Sequence, residues 1–193
     1  PKVFEFISQG HTTGLFQLEG SGMTRYITEM KPRELVHLID MIALYRPGPM
    51  QFIPNYINCM HGREQPTYAH PALEPIFKST FGIPIYQEQI MQAAIQIAGY
   101  DPSDSDRLRK AIAKKQEGHL EDHRSAFIKG AMRHSQLSVE EAELIFRDWE
   151  KFVQYGFNKS HAADYAVIAV RTGYLKYHYP VEFMTALLSA WKN

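Results

Sequence analysis

Apolar residues recur at helical spacing along most of this chain. Met23, Tyr26, Ile27 and Met30 stand at i, i+3, i+4 and i+7, which is one buried stripe of a helix. Pro32 ends that helix, because the residue before a proline is pushed out of the α region. Leu35, Leu38, Ile39, Ile42 and Ala43 make the next apolar face. Tyr45-Arg46-Pro47-Gly48-Pro49 closes it, since two prolines around a glycine cannot continue a helix. Residues 51–62 predict a further short helix ended by Gly62, and Pro66, Pro71 and Pro75 make the following stretch loop-rich. Phe81-Gly82-Ile83-Pro84-Ile85-Tyr86 predicts a short extended segment. A helix over 87–98 follows, with Ile90, Met91, Ala94, Ile95 and Ala98 inward and Gly99 as its cap. The first twenty residues, broken by Gly10, Gly14 and Gly20, read as connecting structure.

The second half carries clearer start signals. Asp101-Pro102 is an N-cap followed by proline at the first helical position. The helix it opens holds Arg107 through Lys115, and another spans about 119–134. Ser138-Val139-Glu140-Glu141 is a capping box that starts a helix through Phe152. The stretch 155–160 is a turn into a helix reaching about Tyr177, and Pro180 starts a last helix through Ala190. The expected fold class is mainly α, a multi-helix domain with at most a short β element.

Composition narrows the field. Hydrophobic residues make up 45% of 193 residues and charged residues 22%, ordinary values for a packed globular protein. Lys+Arg and Asp+Glu are 21 each, which excludes a globally basic nucleic-acid binder but leaves room for a local basic patch. The single cysteine, Cys59, rules out an internal disulfide framework and a cysteine-based zinc site. No run of about 20 apolar residues exists to span a bilayer, and the start Pro1-Lys2-Val3-Phe4 lacks a secretory leader. A cytosolic protein is expected, and the missing initiator Met suggests a piece of a longer chain.

Four clusters hold candidate chemistry. Arg107, Arg109, Lys110, Lys114 and Lys115 lie on one predicted helix. At 100° per residue all but Arg109 fall within about 140° of arc. Such a face binds phosphate oxygens, and it equally suits a solvated helix surface; the local pattern leaves both readings open. Asp104-Ser105-Asp106 has the form of a metal-binding carboxylate pair, yet these acids sit where a helix start favours them, beside five competing bases. They read as helix-opening acids, and no metal role is assigned. His119 and His123 have i, i+4 spacing but no His-Glu-x-x-His context and no third ligand. Tyr155-Gly156-Phe157-Asn158-Lys159-Ser160-His161 gathers aromatics, an amide, an ammonium and an imidazole at a helix start. Groups of this kind stack on bases or meet phosphates; a helix cap with Phe157 in the core is the competing reading. Arg46, in the Pro-Gly-Pro turn, either caps carbonyls or meets a ligand.

These segments, taken in order, resemble one family. They are Thr13-Gly14-Leu15-Phe16-Gln17-Leu18-Glu19, Ile42-Ala43-Leu44-Tyr45-Arg46-Pro47-Gly48-Pro49, His61-Gly62-Arg63-Glu64, Tyr86-Gln87-Glu88-Gln89-Ile90-Met91-Gln92, Leu108-Arg109-Lys110-Ala111 with Lys114-Lys115, Tyr155 through Ala163, and Tyr179-Pro180-Val181-Glu182-Phe183-Met184. The resemblance is to the bacterial DNA polymerase III alpha subunits, C-family replicative polymerases, and in particular to their fingers region. It implies that residues 1–193 are a fingers domain, with 1–20 connecting from the palm and 21–193 forming the helical body. The catalytic palm would lie upstream, and the clamp-binding motif, oligonucleotide-binding fold and helix-hairpin-helix pair downstream.

The resemblance also implies roles. Arg109, Lys110, Lys114, Lys115 and Arg46 would bind the triphosphate of an incoming deoxynucleotide. Tyr155, Asn158, Lys159 and His161 would line the nucleotide pocket. The parent enzyme would use Mg²⁺ on ligands outside this chain. It would engage deoxynucleoside triphosphates, primed template DNA, the palm and other domains of the same polypeptide, and replisome subunits, in the bacterial cytoplasm and with no membrane. The isolated piece is expected to have no catalytic residue and no activity; a stand-alone helical nucleic-acid-binding module is the alternative. Three departures from the family pattern stand out. Lys110 replaces a usual Arg and loses a bidentate fork. Ala113 replaces a usual Gly before the lysine pair. Asn58-Cys59-Met60 replaces a commonly basic stretch before His61.

Overall fold

A computed structural model describes residues 1–113, 117–153 and 156–190, the side chains of 112, 113, 117–119 and 150–153 excepted. Its α-helices are α1 (Lys2–Ser8), α2 (Ser21–Met30), α3 (Leu35–Leu44), α4 (Ile53–Met60), α5 (Glu74–Phe77), α6 (Gln87–Ala98), α7 (Pro102–Ala113), α8 (Glu117–Ser135), α9 (Val139–Val153), α10 (Lys159–His178) and α11 (Pro180–Ala190). Short 3₁₀ turns precede α4 and flank α5. The mainly α class expected from periodicity holds. Among the described residues the β content is one parallel bridge, Tyr86 with Phe157, at the end of the segment expected to be extended. No helix among the described residues is long and apolar enough to cross a membrane.

The chain forms two compact units, residues 1–57 with 159–193, and residues 58–158. In the first, α3 packs on α10, and α1 packs on both α2 and α10. The stretch expected to be connecting structure therefore contains a helix, α1, which buries Ile7. Its shortness hid it, because seven residues show barely two helical turns of pattern. The α10 face is made of small residues: Ala162, Ala166, Ala169 and Gly173 are all buried. A Cβ on Gly173 would lie 3.1 Å from Ile7 Cδ1 and 3.3 Å from Val3 Cγ1, so glycine there allows α1 to approach closely. Within this core the Tyr56 hydroxyl donates to buried Asp40 Oδ2 at 2.6 Å. Burial and that carboxylate push the Tyr56 pKa up.

The second unit is built on α6, which packs against α7 and α8, with α9 against α7 and α8. Its core holds Leu73, Ile76, Phe77, Ile90, Ile97, Leu108, Phe127, Ile145, Phe146 and Trp149. The Phe127 and Trp149 rings meet edge to face, 4.7 Å between centroids, a favoured arrangement for the ring quadrupoles. The ends of these helices follow the local signals. Gly99 caps α6 at φ 68°, and Asp101 Oδ1 accepts from the Asp104 amide at 2.8 Å. Ser138 and Glu141 complete a reciprocal capping box. The buried face of α6 is rotated from the expected one. Gln89, Ala93 and Ile97 are buried with Ile90, Ala94 and Ala98, whereas Met91 and Ile95 are only half-buried. Gln89 tolerates burial because each end of its amide is used: Oε1 accepts from the Tyr86 amide at 3.0 Å, and Nε2 donates to Thr80 Oγ1 at 2.8 Å.

Candidate functional site

The basic helix α7 shows how its charges are arranged. Ser105, Leu108 and Ala111 turn inward and are buried, which leaves Asp104, Arg107 and Lys110 toward solvent and Asp106 and Arg109 at the edge. Asp104 pairs with Arg107. Asp106 serves two bases at once. Arg109 Nε donates to Oδ1 at 2.9 Å and Nη2 lies 2.8 Å from the same oxygen, while Lys110 Nζ lies 2.7 Å from Oδ2. These two bonds, Lys110's first and Arg109's next, hold the Asp106 carboxyl below the usual carboxylate range. Arg109 and Lys110, expected from helical angles to point apart, thus share one partner. Both side chains are long, and positions i+3 and i+4 flank the same carboxylate.

The aspartates are accounted for in the same way. Asp101 caps the helix, and its carboxyl is lowered chiefly by the Asp104 amide bond. Asp104 and Asp106 answer the neighbouring bases, as the sequence context suggested. Among the described residues no three His, Cys, Asp or Glu side chains come together as a metal set.

Among the described residues Arg109 has one partner from outside its helix. Its Nη1 donates to Gln87 Oε1 at 3.1 Å. Gln87 in turn donates from Nε2 to the Gly156 carbonyl at 3.0 Å, and its backbone amide donates to the Phe157 carbonyl at 3.0 Å. The Phe157 amide donates to Ile85 O at 2.9 Å. The turn before Asn158 is thereby sewn to the start of α6, and a Cβ on Gly156 would stand 3.1 Å from Gln87 Cγ. Sequence reading gave Gln87 no role of its own. Its only signal was its place inside the Tyr86-Gln87-Glu88-Gln89 motif.

The remaining expected residues fall as follows. Lys114, Lys115 and Tyr155 lie outside the described residues. Asn158 is exposed in the second unit, and Phe157 is half-buried there. In the first unit Lys159 and His161 are exposed on the first turn of α10, with the His161 ring 4.1 Å from that of Tyr165. Arg46, also in the first unit, donates from Nε to Ala43 O at 2.9 Å, so it caps a carbonyl at the end of α3. Burial lowers its pKa. Cys59 is buried, and burial followed by the Glu64 charge pushes its thiol up, which fits an inert structural thiol. Asn58, at the departure from the basic pattern, donates to Glu64 Oε1 at 2.7 Å. Tyr100 donates to the His123 carbonyl at 3.0 Å.

Comparison with known proteins adds an independent line. The family described as the bacterial DNA polymerase III alpha subunit finger domain matches residues 1–135. The chain is 50% identical over 198 residues to the DNA polymerase III subunit alpha of Thermus aquaticus, covering all of this chain and 16% of that protein. It is 46% identical over 192 residues to the same subunit of Halalkalibacterium halodurans, covering all of this chain and 17% of the relative. With that of Deinococcus radiodurans it shares 44% identity over 195 residues, covering 97% of this chain and 14% of the relative. The chain spans about a sixth of the length of the first two of these.

Proposed function

Because this chain belongs to the finger-domain family of bacterial DNA polymerase III alpha subunits, we propose that it is the part of a template-directed DNA polymerase that holds the triphosphate of the incoming deoxynucleotide. The observation carrying this reading is the arrangement of Arg109. Among the described residues Asp106 and Gln87 take three of its five N–H donors, which leaves two to fork onto a phosphate. Lys110 stands beside it, tied to Asp106 by a pair on the open surface. Exposed pairs of this kind contribute little, so a phosphate replaces the carboxylate at small cost.

The chemistry of such a domain is positioning and charge neutralisation. Arg109 and Lys110 orient the triphosphate and offset charge that develops on it. Lys114 and Lys115 continue the basic run in the sequence and, with Arg46, are proposed as further phosphate-binding residues, while Tyr155, Asn158, Lys159 and His161 are proposed to face the nucleotide. The bond-forming residues and the Mg²⁺ ligands would belong to other parts of the longer polypeptide. That polypeptide would act in the bacterial cytoplasm on primed template DNA, with replisome subunits as its further partners.

Steady-state single-nucleotide incorporation by a polymerase carrying this segment tests the reading. Arg109→Ala removes a charge-assisted contact of roughly 1.5–3 kcal/mol, a loss of about 10- to 150-fold in kcat/KM for nucleotide. Lys110→Ala costs less, because lysine donates as a point charge, and Lys110→Arg is neutral or favourable. Affinity for primed DNA without nucleotide stays unchanged in all three. A kcat/KM within twofold of the parent for Arg109→Ala overturns the proposal. Lost DNA affinity with an unchanged nucleotide KM instead moves α7 to the template-primer track and revives the nucleic-acid-binding alternative.

A further inference from the structure

The carboxamide of Gln87 is used at both ends. Oε1 accepts from Arg109 and Nε2 donates to the Gly156 carbonyl. A carboxamide suits this double role, since it carries an acceptor and donors at separate atoms of one planar group. Reversing it would set NH₂ against a guanidinium and an oxygen against a carbonyl. The base under it is firm: Gln87 opens α6, its amide is bonded to Phe157 O, and the preceding Tyr86 is held by buried Gln89, itself bonded to Thr80. Thr80 Oγ1 donates onward to Ile83 O at 2.7 Å. Residues 83–87 are therefore pinned from behind while Gln87 reaches forward to two functional elements.

We infer that Gln87 is a positioning residue that links the phosphate-binding Arg109 to the 156–158 turn carrying Asn158. This inference rests on the proposal that Arg109 meets the triphosphate. A guanidinium on a flexible stem loses rotamer freedom when it binds, and a group already held by Asp106 on one edge and Gln87 on another loses less. The same bond makes the two elements sense each other. A turn that shifts takes the carboxamide with it and changes where Arg109 points. Such coupling is reciprocal, so a phosphate seated on Arg109 also favours one placement of the turn.

A double-mutant cycle in the full-length polymerase carrying this segment tests the inference. The enzymes are the parent, Gln87→Met, Arg109→Ala and the double variant, assayed for single-nucleotide incorporation on primed DNA. Gln87→Met keeps length and helix propensity while removing both polar ends. Gln87→Asn keeps the amide one methylene short and serves as a second probe should the first lower the yield of folded enzyme. Each single change at 87 should reduce kcat/KM for nucleotide about 3- to 10-fold, within the range of neighbouring couplings. Primed-DNA affinity and melting temperature should stay at parental values. In the Arg109→Ala background Gln87→Met should cost less than twofold, because the residue it positions is gone. Equal losses in both backgrounds overturn the inference and assign Gln87 an independent role. A harmful Arg109→Ala with a silent Gln87→Met overturns it while the proposed function stands. A silent Arg109→Ala overturns both.

Discussion

Gly130 sits on α8 where that helix crosses α6, and replacing it by alanine separates two physical effects of opposite sign. A Cβ built there falls well inside van der Waals contact of the Ala98 carbonyl oxygen, and lies 3.1 Å from both Ala98 C and Ala98 Cβ. The oxygen and the carbonyl carbon are backbone atoms of α6, so no side-chain rotation relieves the clash. One helix has to move from the other, disturbing Ile90, Ala94, Ile97, Phe127 and Ala131 in the shared core. Overpacking of this kind costs about 1–3 kcal/mol, and backbone placement puts Gly130→Ala in the upper half of that range. Against it stands a gain of about 0.8–1 kcal/mol, because alanine favours a helix interior over glycine. The net expectation is a loss of about 1–2 kcal/mol, or roughly 2–8 °C in Tm for a chain of this size. Thermal unfolding of the parent and Gly130→Ala chains, followed by circular dichroism, reads the sign directly. A raised or unchanged Tm refutes the close-approach argument, since propensity alone would then govern the site.

Two further expectations follow from the charges. Asp101 has a folded-state pKa below its unfolded value of about 3.9, so its contribution is present above that value and is lost as pH falls through the lowered one. In urea titrations the parent should exceed Asp101→Asn in stability at neutral pH and lose that advantage as pH drops below about 4; an advantage that persists in acid contradicts the cap assignment. The isolated 193-residue chain should not extend a primer with Mg²⁺ and deoxynucleotides, because Asp104 and Asp106 answer Arg107, Arg109 and Lys110. Incorporation above a carrier-free control would refute this.

Local chemistry alone sets much of this protein. Pro32, Gly99, Asp101 and the Ser138–Glu141 box mark helix ends through bonds reaching no more than a few residues, so their effects are written in adjacent letters. The run of segments from Thr13 to Met184 carries the family for the same reason: their residue types and order persist in the chain whatever packs against them. What tertiary structure decided is which side of each helix meets a partner. α6 has apolar residues on several sides, and its contacts with α7 and α8 bury Gln89, Ala93 and Ile97 while leaving Met91 and Ile95 half-buried. α10 buries a stripe of alanines that no hydrophobic pattern singles out, because close helix approach rewards small size rather than hydropathy. The site divides along the same line. Arg109 and Lys110 are legible as a basic pair, and their shared hold on Asp106 is a matter of three and four residues. Gln87 is not legible, because its bonds reach 22 residues to Arg109 and 69 to Gly156, and only the folded chain brings those distances to about 3 Å.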